Sequence, residues 1–321
     1  MLLKLVPDNT KFKFTRGRFA AVGVSFALAV ASIVSLATIG LNFGVDFKGG
    51  VTIEVAGDAA IDIGRVRSAL GTLNLGEITV TEIQDVGVGE KGVLVTIAQQ
   101  TPREGEDFDA AQQRAAGEAR AELNRLLGEE IVFRKQEVVG ATVSGELVEK
   151  GTLAVGVAVV LMVLYIWFMY EWQFAVGSIV ALFHDIAITL GVLSVTRLDF
   201  NLSTIAALLT IVGYSMNDTV VVFDRIRENL RKYKKMPLDE LIDLTINETL
   251  SRTVMTSGTT LLSLVALFFF GGEVLRGFTG AIIFGILIGT YSSIFVASPI
   301  LMWTGVKRDW SKVKETPAAK A

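Results

Sequence analysis

Cysteine is absent from this chain of 321 residues, and histidine occurs only once, as His184. Without thiols, neither a disulfide framework nor a thiolate metal site is available, and one imidazole supplies too few ligands for a transition-metal centre. No Gly-Lys-Ser or Gly-Lys-Thr sequence follows the glycine-rich turn at 44–50, so a phosphate loop is not indicated. We therefore predict no metal and no cofactor. The net charge of −3 favours no class of partner.

Apolar residues are in excess, at 51% of the chain with a mean hydropathy of +0.52, which is too apolar for an ordinary soluble protein. A run of about 17 to 25 apolar residues is long enough to cross a bilayer. The first run also resembles a signal peptide, but it continues unbroken to Leu41, so we predict an uncleaved anchor. The six predicted spans are 19–41, 151–170, 174–195, 202–223, 253–270 and 280–303.

Basic residues cluster before the first span, between the fourth and fifth, and after the sixth. By the positive-inside rule, these three regions are cytoplasmic and the long segment after span 1 is exterior. The basic run between spans 4 and 5 is most simply a topology determinant in contact with lipid headgroups, so we predict no nucleic-acid partner. The predicted regions outside the spans are an N-terminus (1–18), an exterior domain (42–150), a helical hairpin (224–252) and a C-terminal tail (304–321).

The exterior segment alternates between β-rich and helical patterns in the order β-α-β-β-α-β. Such an order predicts a ferredoxin-like α+β domain, with Gly87, Gly89 and Gly92 around the central hairpin turn. The predicted fold class is thus an all-α membrane bundle of six helices carrying an exterior α+β domain. By analogy, one exterior domain after the first of six spans is typical of half of a larger transporter. The strand patterns are 51–55, 78–84, 93–98 and 131–139, and the helical ones are 61–73 and 108–127.

Ionisable residues inside spans are costly, which makes each one a functional candidate. Asp218 in span 4 lies about two turns from the cytoplasmic edge, and Tyr214 and Asn217 extend a polar stripe along the helix. Arg252 enters span 5 at a similar depth. We predict that Asp218 exchanges a proton and pairs with Arg252. Two alternatives remain open: Asp218 as structural glue between helices, and Arg252 as an anchor that reaches the headgroups.

Span 3 carries the dipeptide His184-Asp185 near its middle. It is either a proton relay or a satisfied hydrogen-bonded pair between helices. In span 6, Gly285, Gly289 and Ser293 form a ridge of small residues, which predicts close helix packing.

The exit of span 1 is a compact turn, Asn42-Phe43-Gly44-Val45-Asp46-Phe47-Lys48-Gly49-Gly50. Glycines permit unusual backbone angles, and a carboxylate such as Asp46 can bind the amides of a turn. We interpret this segment as a hinge or a structural corner. The hinge residues are Asp46, Phe47, Lys48, Gly49 and Gly50.

These motifs resemble the SecD/SecF family of the resistance-nodulation-division (RND) superfamily, on its SecF side. The resemblance rests on the turn after span 1, on His184-Asp185, on Tyr214-Ser215-Met216-Asn217-Asp218-Thr219 and on Asn247-Glu248-Thr249-Leu250-Ser251-Arg252-Thr253. It covers nearly the whole chain, with four motifs in order.

The resemblance implies an RND-type half bundle in the bacterial inner membrane that pairs with SecD and uses the proton motive force in late steps of preprotein translocation. Asp218 and Arg252 would belong to the proton pathway, together with an aspartate from SecD. The implied partners are SecD, the SecYEG channel, YajC and the unfolded preprotein, and no catalytic residue is implied.

Three alternatives differ in class. One is a proton-coupled RND-type exporter of lipids or small molecules, although such exporters usually carry both halves in one chain. Another is an intramembrane aspartyl protease using Asp185 and Asp218, although Asp218 is preceded by Ser215-Met216-Asn217, which lacks the glycines of the Gly-x-Gly-Asp pattern. A third is a structural membrane subunit without ion coupling.

Overall fold

The structure, a computed structural model, describes residues 7, 10–57, 61–84, 91–128, 131–271 and 273–306. Gly87 and Gly89 of the predicted hairpin turn lie outside the described residues, as do the first six residues of the predicted N-terminus and residues 307–321 of the predicted tail.

The described elements follow one another in this order. They are α1 (Arg18–Thr38), β1 (Asn42–Phe43), α2 (Val45–Lys48), β2 (Gly50–Gly57), α3 (Ile63–Gly71), β3 (Ile78–Gln84), β4 (Lys91–Ala98), α4 (Phe108–Leu127), β5 (Ile131–Val139), α5 (Ala141–Met169), α6 (Trp172–Thr196), β6 (Asp199–Phe200), α7 (Leu202–Lys232), α8 (Leu238–Phe270), α9 (Glu273–Ser292) and α10 (Ser298–Thr304). A 3₁₀ turn at Phe14–Gly17 precedes α1, and a π-helical segment at Ser293–Ala297 joins α9 to α10.

Six helical stretches in the described chain are long and apolar enough to cross a membrane. The helices α1, α5, α6, α7 and α8 supply one each, and α9, the π-helical segment and α10 together supply the sixth. The bundle core lies among α6, α7 and the sixth stretch, where Phe174, Phe223 and Leu301 are buried. Helix α5 lies at the periphery, with Phe168 90% exposed. The prediction of a six-helix membrane bundle is confirmed.

Two spanning helices extend well beyond the membrane length at the predicted cytoplasmic end. Residues 224–232 continue α7, residues 238–252 form the first turns of α8, and only 233–237 separate the two helices. Arg225 Nε donates to Glu248 Oε2 over 2.8 Å, and Asn229 Nδ2 donates to the same oxygen over 2.7 Å. The two helices are therefore tied together at their ends by charged and amide groups.

The predicted exterior domain contains a four-stranded sheet with the spatial order β3-β4-β2-β5, in which every neighbouring pair is antiparallel. Its β-branched residues Val51, Ile53 and Val55 are fully buried beneath the two helices. Both helices begin at an aspartate cap: Asp62 accepts from the backbone N–H of Gly64 in α3, and Asp107 accepts from an N–H in α4. The order and pairing are those of a ferredoxin-like fold, as predicted.

Candidate functional site

Asp218 lies on the inner face of α7 and is 5% exposed. Its Oδ1 accepts a hydrogen bond of 2.8 Å from the Thr253 hydroxyl on α8, and its Oδ2 accepts one of 2.6 Å from the Ser293 hydroxyl. Within the described residues, no cation forms an ion pair with this carboxyl group. A buried carboxyl held only by hydroxyls can exist with or without its proton, because a hydroxyl can both donate and accept.

No salt bridge joins Arg252 to Asp218 among the described residues, so their predicted pairing is not a direct contact within this chain and stays a prediction. Its side chain is exposed on the outer face of α8, whereas the next residue, Thr253, is buried against Asp218. Successive residues of an α-helix are rotated by about 100°. Thr253 therefore occupies the inward position, and Arg252 is turned toward the surface of the bundle.

The predicted polar stripe of α7 divides between two faces. Tyr214 is half-buried, and its hydroxyl donates to the Ser257 hydroxyl over 3.3 Å, which in turn lies 2.8 Å from the Thr290 hydroxyl. Asn217 is exposed, although it precedes Asp218 directly. The stripe thus does not form one interior face, because Asn217 and Asp218 point in different directions.

His184 and Asp185 form a second buried polar group beside α7. Asp185 is fully buried, and its Oδ1 lies 2.9 Å from Nδ1 of His184. Its Oδ2 accepts hydrogen bonds of 2.5 Å from the Ser215 hydroxyl and 2.7 Å from the Ser292 hydroxyl. The structure therefore places the dipeptide in a hydrogen-bond network that joins α6, α7 and α9.

Ser215, Ser292 and Thr253 are residues of the site that the sequence does not reveal as ligands of a carboxyl group. Ser293 was interpreted only as part of a packing ridge. That ridge does pack closely: a β-carbon added to Gly289 would lie 3.0 Å from Cβ of Ser215 on α7. In the sequence, the only indication of these hydrogen-bond partners is that small hydroxyl residues recur in apolar spans, where they commonly hydrogen-bond across helices.

The turn after α1 is docked against the loop between α6 and α7. β1 pairs in parallel with β6, and the backbone N–H of Gly44 donates to the Phe200 carbonyl oxygen over 2.9 Å. The ring centroid of Phe47 lies 5.6 Å from that of Phe200, with Phe43 at the same distance. Lys48 ends α2, and Gly49 and Gly50 have φ angles of 71° and 129°. The predicted hinge segment is thus a packed corner between the bundle and β2.

At the predicted cytoplasmic rim, Tyr170 follows α5 and is buried. Its hydroxyl donates to Asp224 over 2.6 Å, and the guanidinium carbon of Arg227 lies 5.9 Å from its ring centroid. The phenol therefore ties the end of α5 to α7.

Two family descriptions match this chain. Residues 120–307 match "Protein export membrane protein SecD/SecF, C-terminal", and residues 34–61, which include the corner, match "SecD/SecF GG Motif". The chain belongs to the SecD/SecF family. Within it, the chain is a SecF-type subunit of a protein translocase, and thus a transport component with several membrane spans.

Individual relatives agree with this assignment. The protein translocase subunit SecF of Rhodobacter capsulatus is 45% identical over 321 residues, covering 99% of this chain and 96% of the relative. That of Cereibacter sphaeroides is 46% identical over 315 residues, covering 97% and 94%.

The solved structure of SecDF from Thermus thermophilus, described as a translocon-associated membrane protein, is 37% identical with a TM-score of 0.79. The match covers 93% of this chain but only 39% of that longer one. This chain therefore corresponds in fold to one part of a SecDF protein, which supports an association with SecD.

Proposed function

We propose that this chain, paired with SecD, uses the proton motive force to promote late steps of preprotein translocation across the bacterial inner membrane. Asp218 is the proton carrier in this proposal. The observation that carries it is the environment of that carboxyl group, which is buried in a membrane helix and accepts hydrogen bonds from two hydroxyls.

A charge at this position is expensive, and protonation removes it. An unpaired carboxylate inside a span costs about 2.5–3.5 kcal/mol on insertion scales, and one elementary charge crossing 100 mV yields about 2.3 kcal/mol. The two quantities are similar, so movement of one proton suffices to bias two arrangements of α7. Both hydroxyl partners come from other helices, so a change at Asp218 alters the contacts of α7 with α8 and with the π-helical segment.

In this proposal, the outer faces of α7 and α8 form the SecD interface. Polar or small residues stand exposed along both helices inside the spanning region, where contact with lipid is unfavourable. A second bundle with polar groups of its own would cover them, and Arg252 would then face an acidic residue of SecD. The exposed positions are Thr210, Gly213 and Asn217 on α7, and Arg252, Thr256, Thr259 and Ser263 on α8.

The exterior domain is the element that responds to protonation in this proposal. Its first strand, β2, follows the corner directly, and the corner contacts the loop that leads into α7. A shift of α7 would therefore change the tilt of the domain about Asp46–Gly50. We further propose that the termini are cytoplasmic, that SecYEG, YajC and the emerging preprotein are partners, and that the chain has no hydrolytic activity.

The test compares wild type with Asp218→Asn in vesicles that contain this chain and its SecD partner at equal amounts. We expect Asp218→Asn to abolish the part of preprotein translocation that depends on the proton gradient. Asp224→Asn is the matched control, because Asp224 lies on the same helix but is exposed. Gradient-dependent translocation that survives Asp218→Asn at wild-type level would overturn the proposal.

A further inference from the structure

Asp185 has no role in the function proposed above, yet it is the more deeply buried of the two membrane carboxyl groups. It is 0% exposed, and its three partners come from three helices. The Ser215 and Ser292 hydroxyls both donate to Oδ2, and His184 Nδ1 faces Oδ1. No ion pair joins Asp185 to a lysine or an arginine in the described part of the chain.

The contact with Asp185 uses only Nδ1 of the two ring nitrogens of His184. When Asp185 is ionised, only the ring form with the hydrogen on Nδ1 donates to the carboxylate. Nε2 then carries an unshared electron pair, and this atom is buried without a hydrogen-bond partner among the described residues. The ring stacks on Tyr291, with 6.4 Å between their centroids. Nε2 is therefore available for a proton.

The charge balance favours uptake of one proton. An ionised Asp185 beside a neutral His184 leaves a net charge of −1 in the membrane, and a proton on Nε2 turns the pair into a neutral ion pair. Within the spanning part of the neighbouring helices, the titratable groups are Tyr214 and Asp218 on α7, Tyr291 on α9 and the exposed Tyr165 on α5. The lysines and arginines of these helices stand near the helix ends, at Arg18, Lys150, Arg225, Arg227, Arg231, Lys232 and Arg276.

The two buried carboxyl groups are linked through neighbouring residues. Ser292 donates to Asp185, whereas Ser293 donates to Asp218. The π-helical segment begins at Ser293, and Ser298 donates to the Ser293 carbonyl oxygen over 2.9 Å. Such segments frequently mark functional sites in helices. A proton gained at Asp218 or at the His184–Asp185 pair therefore changes the hydrogen bond of one of two consecutive serines.

We propose that His184 and Asp185 form a second proton-binding site, which takes one proton on Nε2 of His184 and is coupled to Asp218 through Ser292 and Ser293. The proton comes from water and returns to it, so no other reactant is required. The use of this site in transport rests on the proposed function of Asp218, but its existence does not.

His184 is the only histidine in the chain, so the protonation of this ring can be followed directly by NMR. The chain is labelled with [15N]histidine, purified through a tag without histidine, combined with unlabelled SecD in bilayers and titrated by NMR. We expect a neutral ring with the hydrogen on Nδ1 at high pH, and a second hydrogen on Nε2 as the pH falls. A ring that stays neutral throughout, or that carries its only hydrogen on Nε2, would overturn the site.

The coupling between His184–Asp185 and Asp218 is tested by the same NMR titration of the histidine ring. We expect Asp218→Asn to shift the midpoint by at least about 0.5 pH unit, as for interacting sites. The same substitution in a Ser292→Ala background should give a clearly smaller shift. No shift in either background, or equal shifts in both, would overturn the coupling. Because the titration needs no translocation, a titrating ring together with intact transport in Asp218→Asn would reject the proposed function alone.

Discussion

Asp46 accepts a hydrogen bond of 2.9 Å from the backbone N–H of Leu202, which lies 156 residues further along the chain. Leu202 is the first residue of α7, so the carboxylate lies at the positive end of that helix. One side chain of the corner thus binds the helix that carries Asp218.

Replacement of Asp46 by alanine should loosen this corner. Loss of a capping acceptor costs about 0.5–2 kcal/mol. We expect faster hydrogen exchange of the amides at 199–204 in the complex with SecD, together with weaker gradient-dependent translocation. Asp107→Ala is the matched control, because Asp107 caps α4 inside the exterior domain. Unchanged exchange at 199–204 in Asp46→Ala would show that the contact does not hold the corner.

Gly50→Ala should destabilise the exterior sheet. Gly50 has a φ of 129°, and a β-carbon there would overlap the carbonyl oxygen of Ile97 on β4. A residue forced into such a conformation costs about 1–3 kcal/mol. We expect faster proteolysis of the exterior domain in the intact chain. Gly117→Ala in α4 has open space and should instead stabilise by about 0.5–1 kcal/mol. Equal protease resistance in the two variants would contradict the steric argument.

Gly191→Ala should separate α1 from α6. A β-carbon on Gly191 would lie 2.7 Å from Cα of Ser32, and the nearby Ser35 hydroxyl donates to the Ser194 hydroxyl over 2.9 Å. Because the chain has no cysteine, the double variant Ser35→Cys/Ser194→Cys reports this contact by disulfide formation. We expect Gly191→Ala to slow its cross-linking, and Gly156→Ala, which meets nothing within 4 Å, to leave it unchanged. Undiminished cross-linking in Gly191→Ala would argue that the helices accommodate the methyl group.

Arg252→Gln should act on the partnership with SecD rather than on the isolated chain. Arg252 is exposed and forms no ion pair with a described residue, so its loss should not change the thermal unfolding midpoint of the chain alone. The SecD complex should dissociate more readily. Arg225→Gln is the control, because Arg225 bridges Glu228 and Glu248 and its loss should cost about 0.2–1 kcal/mol without SecD. Destabilisation of the isolated chain by Arg252→Gln would contradict an interface role.

The architecture was largely predictable from the sequence. The length of an apolar run identifies a membrane span, and the periodicity of apolar residues distinguishes a strand from a helix. Both are local properties of the sequence, so both could be predicted from it. The spans 174–195 and 202–223 each lie within a single helix of the structure, Trp172–Thr196 and Leu202–Lys232. The extension of α7 and α8 beyond their spans was not predictable to the same degree, because a charged helical segment has the same sequence pattern whether or not it is continuous with a span.

The candidate site was predictable only in its residue types. The cost of ionisable groups in spans directs attention to His184, Asp185 and Asp218, and all three are buried. Their hydrogen-bond partners were not evident, since serine and threonine are common in membrane helices and most of them bond only to their own backbone. Thr256, for example, donates to backbone carbonyl oxygens of α8.

The sequence by itself therefore determined six membrane helices, a βαββαβ domain after the first of them and a small set of ionisable residues within the spans. Only the tertiary structure decided which groups meet: Asp218 with Thr253 and Ser293 rather than with Arg252, and Asp185 with Ser215 and Ser292. The physical reason is the rotation of successive side chains around the helix axis. Depth along a span follows from counting residues, but a step of one residue turns a side chain by about 100°, and packing of the neighbouring helices alone selects the face.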